Sequence, residues 1–200
     1  MPRPVQVIRD MYVTSMPVIL GGVSNMIFTK TPLYQNHRTP IDGGRVWKDG
    51  KRILGDNKTW IGFSSMVGLT ALSQVGWGAW CSLRGLNARH DLYRVRKNTL
   101  ALNAVTGTLY GLAYAVCELP NSFVKRRFDI RPGKTEGGAV GKVFFVVDQI
   151  DSLLGVFLVL KAYAGISWAR YLQFICLGFG THVGVNYARQ FRNALMWCSH

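Results

Sequence analysis

The sequence predicts an all-α polytopic membrane protein, a single integral membrane domain over residues 1–200 with about five transmembrane helices and two long loops. Three observations predict it. Hydrophobic residues make up 48% of the chain, and 22 glycines raise the apolar share to about 59%, above the ~45–50% of soluble domains. Charged residues stand at 17% against the usual ~25%, which argues against a soluble and against a disordered chain. The apolar residues gather in five runs, at 11–28, 60–83, 99–119, 143–160 and 167–187, each close to the ~20 residues that cross ~30 Å of hydrocarbon.

The first run carries no charge and no small-residue cleavage site, so it reads as a span and not as a signal peptide. The small-x-x-x-small pairs Gly107/Gly111 and Gly180/Gly184 read as helix packing, where glycine lets backbones approach closely. Cys81, Cys117, Cys176 and Cys198 show no C-x-x-C spacing and read as small hydrophobes. With five spans, the segments around 30–59, 121–142 and the C-terminal tail share one side and hold 15 of the 24 basic residues, Lys134, Arg189 and Arg192 among them. The positive-inside rule makes that side cytoplasmic. The basic segment 84–97 falls on the other side and reads as an amphipathic interfacial helix, with Leu86, Leu92, Tyr93 and Val95 dipping into the interface.

A net charge of +14 calls for an acidic partner. Anionic lipid headgroups and phosphorylated small molecules fit a membrane chain, and nucleic acid fits it least. The first loop, PIDGGRVWKDGKRILGDNKTW at 40–60, alternates Asp42, Asp49 and Asp56 with Arg45, Lys48, Lys51, Arg52 and Lys58, broken by Gly43, Gly44, Gly50 and Gly55. Tight glycine turns bring backbone N–H groups to an anion, and Lys and Arg supply the charge for phosphate oxygens. A solvated polar loop has a similar composition. Asn57-Lys58-Thr59 is a formal glycosylation sequon but lies on the predicted cytoplasmic side. Gly133-Lys134-Thr135 resembles a P-loop end, yet Phe128 stands where the first glycine is required.

The second loop holds ELPNSFVKRRFDIRPG and is followed by VFFVVDQIDSLLG. Asp148 and Asp151 are three apart in an apolar run and share a helix face. Carboxylates there face a cavity, a partner or a metal. The pair suits a hard divalent cation such as Mg²⁺, while simple pairing with Lys125, Arg126 or Arg127 is the plainer alternative.

S-x-V-K-R at Ser122 to Arg126, followed by D-x-x-D at Asp148 to Asp151, resembles the signature of the membrane CTP:phosphatidate cytidylyltransferases. P-I-D-x-G-R and D-G-x-R-x-L-G-D-x-K-T-W in the first loop look still more like one branch, the CDP-archaeol synthases. The resemblance implies a five-span enzyme. It implies that CTP and Mg²⁺ convert 2,3-di-O-geranylgeranylglycerol 1-phosphate into its CDP derivative, releasing pyrophosphate. Carried over by position, it implies substrate-binding roles for Asp42, Arg45, Asp49, Gly50, Arg52, Gly55, Asp56, Lys58, Thr59 and Ser122. It also implies catalytic roles for Lys125, Arg126, Asp148 and Asp151, the two aspartates as metal ligands. The wider signature has a Lys-Asp pair after K-R, a His-Gly-Gly, and D-R-x-D. Here Arg127-Phe128-Asp129, Gly137-Gly138 and Gln149 stand in those places, which favours the ether-lipid branch over phosphatidate.

The lipid phosphate is already an anionic nucleophile, so the chemistry requires charge relief and in-line positioning and no catalytic histidine. His37, His90, His182 and His200 accordingly form no cluster. The competing readings are a CDP-diacylglycerol synthase and a small transporter using Asp148 and Asp151 as an intramembrane relay.

Overall fold

A computed structural model describes residues 3–132 and 137–197, with the backbone alone at 186 and 188–197. Gly133-Lys134-Thr135, Cys198, His200 and the side chains of Arg189 and Arg192 lie outside the described residues. The elements are α1 (Pro4–Phe28), α2 (Pro32–His37), α3 (Trp60–Leu83), α4 (Asp91–Val95), α5 (Leu100–Arg127), α6 (Gly138–Ala164) and α7 (Trp168–Trp197). No strand forms among the described residues, only two isolated bridges in the first loop.

Each predicted run falls on one long helix, because a segment in lipid must satisfy its backbone polar groups internally. Helix α3 matches its run, 60–83, at both ends, whereas α1 starts at 4 instead of 11, α5 continues eight residues past the predicted 119, and α6 starts at 138 instead of 143. Residues 121–127, expected in a loop, are the last turns of α5, where polar side chains project at the helix end. Helices α1, α5 and α6 are long and apolar enough to cross a membrane, so the protein is multi-pass. Ser, Gln and Trp dilute α3, and Asn, Gln and Arg dilute α7.

Helix α5 is central, packed on α3 and α6, with α1 against α3 and α7 against α6. A Cβ at Gly107 would sit 2.6 Å from Gln74 Cβ, and one at Gly111 2.6 Å from Val67 Cα, so this pair sets the α3–α5 approach. Gly180 and Gly184 differ from expectation, since a Cβ there meets nothing within 4 Å. The free cysteines split similarly: Cys81 is buried, Cys117 intermediate and Cys176 exposed.

The two loops meet at one end, where Lys51 pairs with Asp129 at 2.7 Å. The other end gathers the start of α1, α4 and the start of α7. There Asp91 pairs with Arg94 (2.9 Å) and Arg170 (3.0 Å), Arg94 also reaches Asp10, and Thr14 Oγ1 accepts the Asp91 N–H at 2.9 Å. Of the four residues of segment 84–97 expected to dip into the interface, Val95 alone is exposed, at 63%. Leu92 and Tyr93 turn into the bundle, where Tyr93 Oη donates to Asn103 Oδ1 at 2.7 Å and accepts from Gln74 Nε2 at 2.9 Å. Periodicity gives α4 an apolar side but not whether lipid or protein covers it.

His90 is wholly buried against Tyr93, with ring centroids 4.0 Å apart and neither nitrogen partnered among the described residues. Burial, helped by the nearby Arg94 charge, pushes its pKa from 6.5 down to about 3. The unfolded chain binds the proton first, so stability is complete above about pH 6.5 and falls as pH drops toward 3, by about 1.4 kcal/mol per pH unit. Thermal melts at pH 7.5 and 5.5 should show a larger acid loss for wild type than for His90→Phe. Equal losses would show that His90 is not the acid-sensitive group.

Candidate active site

The first loop is folded onto itself. Its ends are tied by Ile41 N–H to the Lys58 carbonyl (2.8 Å) and Trp60 N–H to the Thr39 carbonyl (3.0 Å). Thr59 caps α3 by accepting the Gly62 N–H at 3.1 Å, and its hydroxyl meets Tyr34 Oη from α2 at 2.9 Å. Val46 and Arg52 bridge a small hairpin turned at Gly50, whose φ of 76° suits glycine.

Asp42 is the hub. Its side chain is 1% exposed and accepts the Gly44, Leu54 and Gly55 N–H groups at 3.1, 2.9 and 3.0 Å and Arg52 Nη2 at 2.7 Å. Burial alone would raise its pKa, but the Arg52 hydrogen bond and the three backbone donors hold it well below the usual carboxylate range. The Arg52 guanidinium is shifted up by its bonds to Asp42 and Asp56.

The loop docks on the end of α5. Arg127 Nε lies 3.0 Å from Asp49 Oδ2 and its guanidinium stacks 4.5 Å above the Phe123 ring, against which Trp47 packs edge-on. A Cβ at Gly55 would come within 3.0 Å of Pro132 and 3.6 Å of Arg126 Nε, so only glycine admits this approach, at φ 100°.

On α5, Glu118, Asn121, Ser122 and Lys125 recur at helical spacing and face α6 and the loop. Asn121 Nδ2 donates to Asp148 Oδ1 and to Asp151 Oδ2, both at 2.7 Å. Lys125 pairs with Asp148, the Ser152 N–H donates to Asp151 Oδ1 at 2.6 Å, and Lys58 pairs with Glu118. Asp148 thus does pair with Lys125, as the plainer alternative held, but Arg126 and Arg127 turn elsewhere. Arg126 is buried, donates to the Ile130 carbonyl, forms no ion pair among the described residues and leaves Nε unpartnered. Ser122 is buried on the same helix.

A cavity of about 430 Å³ runs beside this cluster between α1, α3, α5, α6 and α7. Lys58, Glu118 and Gln149 sit at its polar end, Val18, Met66, Leu153 and Phe157 line its apolar length, and His182 faces it from α7. Among its lining residues, Val23 and Met26 on α1 and Val185 on α7 are also 46%, 40% and 50% exposed, so the cavity opens sideways at the seam between the two helices.

The structure thus brings Lys58, Lys125, Asp148 and Asp151 together and sets Arg126 alongside. Asp42, Asp49, Gly50, Arg52, Gly55 and Thr59 build the loop, while Arg45 and Asp56 are exposed at its surface. Sequence reasoning missed Glu118 and Asn121, and it named Arg127 as a partner of Asp148 or Asp151 where the structure pairs it with Asp49.

As for an implied divalent cation, two carboxylates and a neighbouring amide provide hard oxygen donors, and Asn121 Oδ1 is buried without a partner among the described residues. No group of three His, Cys, Asp or Glu forms among them. That set fits Mg²⁺, which takes one or two carboxylates and completes its shell with substrate phosphates and water.

The chain matches a family model described as CarS-like CDP-archaeol synthase over residues 13–193. It is 34% identical over 153 residues to a CDP-archaeol synthase of Archaeoglobus fulgidus, covering 74% of this chain and 78% of that protein. A CDP-archaeol synthase of Thermococcus gammatolerans is 28% identical over 176 residues, covering 88% of this chain and 82% of that one. One of Aeropyrum pernix is 34% identical, covering 72% and 67%. A solved intramembrane enzyme for archaeal membrane lipid biosynthesis superposes with a TM-score of 0.59 at 22% identity, covering 88% of this chain and 92% of that one, and shares the fold.

Proposed function

The chain belongs to the CDP-archaeol synthase family, and from that premise we propose that it is a CTP-dependent nucleotidyltransferase of membrane lipid synthesis. It transfers CMP from CTP to 2,3-di-O-geranylgeranylglycerol 1-phosphate, giving CDP-archaeol and pyrophosphate. The supporting observation is the juxtaposition of an apolar cavity open to the bilayer with a polar cluster holding Lys58, Lys125, Asp148 and Asp151. Isoprenoid tails stay in hydrocarbon through the α1–α7 seam while the lipid phosphate meets the nucleotide at the loop end.

A lipid phosphate oxygen attacks the α-phosphorus of CTP, forming the new P–O bond as the bond to pyrophosphate breaks. Two polyanions must be brought together, so cations aimed at phosphate oxygens do most of the work. Lys58 and Lys125 exchange Glu118 and Asp148 for phosphate oxygens. Arg126, buried and without a carboxylate partner, supplies a bidentate guanidinium to the nucleotide phosphates. Ser122 and the Gly55-Asp56 backbone border the nucleotide. Asp42, Asp49 and Arg52 hold the loop in shape, and Arg45 and Asp56 present its outer surface. Asp148 and Asp151 would hold a divalent cation, Mg²⁺, which would supply neutralisation of phosphate charge and Lewis-acid polarisation. The loops face the cytoplasm, where 15 of 24 basic residues gather under a five-span topology.

Gly22 lines the cavity, and a Cβ there meets nothing within 4 Å, so a side chain can leave the backbone there without a clash and extend into the lipid space. Gly22→Trp should raise KM for the lipid about tenfold or more and leave KM for CTP unchanged. An unchanged lipid KM would place the lipid elsewhere.

A further inference from the structure

We infer that Asn121 is a third protein ligand of the divalent cation. The inference rests on the reading that Asp148 and Asp151 hold that cation. In the structure one amide nitrogen bridges both carboxylates, at 2.7 Å from Asp148 Oδ1 and 2.7 Å from Asp151 Oδ2. The same nitrogen therefore sits at the one place from which both carboxylates are reached, where a shared cation belongs. On the other side of the amide, Oδ1 is buried and has no hydrogen-bond partner among the described residues. A buried carbonyl without a donor costs free energy.

Both features have one resolution. Two carboxylates facing each other need a donor between them, and the amide N–H₂ is that donor while no cation is present. With a cation between the carboxylates the donor is no longer needed. A half-turn of the amide then exchanges nitrogen for oxygen at the same place and relieves the orphaned acceptor. The resulting set, two carboxylates and a neutral carbonyl, has the oxygen chemistry and modest charge of a hard-cation site that keeps room for phosphates. Asn121 is fixed for this by its place on α5, one turn from Glu118 and one from Lys125, both of which hold charged partners.

The test is binding of Mn²⁺ alone to the purified full chain in detergent, read from the electron paramagnetic resonance signal of free Mn²⁺, so that activity is not the readout. Asn121→Leu should weaken Mn²⁺ binding about tenfold or more. Asn121→Asp, which keeps an oxygen at the position and loses the N–H donors, should bind as tightly as wild type or tighter. Unchanged or tighter binding in Asn121→Leu overturns the inference, because an amide that only bridges the carboxylates would compete with the cation. Weakened binding in Asn121→Asp overturns it as well, since it would mean that the N–H donors, and not the oxygen, matter. A thermal melt without Mn²⁺ separates misfolding from lost ligation. Asp151→Asn marks the underlying reading: if it leaves Mn²⁺ binding intact, or if wild type shows no saturable binding, the cation site itself fails. If Asp151→Asn abolishes binding and Asn121→Leu does not, only the role of Asn121 fails.

Discussion

Asp151→Asn is expected to lower turnover about a thousandfold or more while leaving the helical fold intact. Asp151 lies on α6, buried, with Oδ2 on Asn121 and Oδ1 on the Ser152 N–H. Asparagine has nearly the same shape, so packing is undisturbed; it keeps an oxygen for one of those donors while the other loses its acceptor, a loss offset by removing a buried charge. What is lost is a negative charge that is costly to bury and that phosphoryl transfer needs for its cation. Stability should be unchanged or slightly raised. Pyrophosphate release measured beside a thermal melt tests both halves, and near-normal turnover in a folded variant would remove Asp151 from the chemistry.

Asp42→Asn is expected to unlatch the first loop. Five N–H hydrogens converge on the two carboxylate oxygens, from Gly44, Leu54, Gly55 and two positions of Arg52. An amide replaces one acceptor with a donor, so at least two of those five lose their partner and the ion pair with the half-buried Arg52 is broken. Leaving buried donors without an acceptor costs about 1–3 kcal/mol. Amide hydrogen exchange at Leu54 and Gly55 should accelerate roughly a hundredfold, with turnover falling by a smaller factor because the loop still forms part of the time. Unaltered exchange would show that the loop is held by its backbone ties and its docking on α5 and not by Asp42. The depressed pKa of Asp42 gives a pH signature of its own. The folded value lies below the ordinary 3.8, so this stabilisation is complete above about pH 4 and is lost as pH falls through the folded value. The loop should therefore loosen at lower pH than the end holding His90, whose contribution begins to fall near pH 6.5.

The long helices were legible because hydrocarbon imposes a strong rule: an apolar run in lipid closes its own hydrogen bonds. The ends of α5 and α6 were not, since hydropathy reports where lipid stops and not where the helix stops. That difference hid the cluster. With 121–127 read as loop, Asn121 had no spacing to recommend it; as the end of α5 it shares a face with Glu118 and Lys125. Lys58 with Glu118, and Arg127 with Asp49, join residues far apart in the chain, which no local pattern encodes. Asp148 and Asp151 stood out for the opposite reason, being charges in an apolar run. The inward turn of Leu92 and Tyr93 was beyond reach because lipid and a bundle interior reward the same apolar face. The Gly107/Gly111 and Gly180/Gly184 pairs make the same point: equal spacing, but only the first meets a neighbouring helix closely.

The most direct test of the central claim is pyrophosphate release by the purified protein in detergent with CTP and Mg²⁺, offered either 2,3-di-O-geranylgeranylglycerol 1-phosphate or dioleoyl phosphatidate. Release that depends on the ether lipid, with the CDP-lipid formed in equal amount, is the predicted result. Release with phosphatidate alone, or none from folded protein with either lipid, would contradict it.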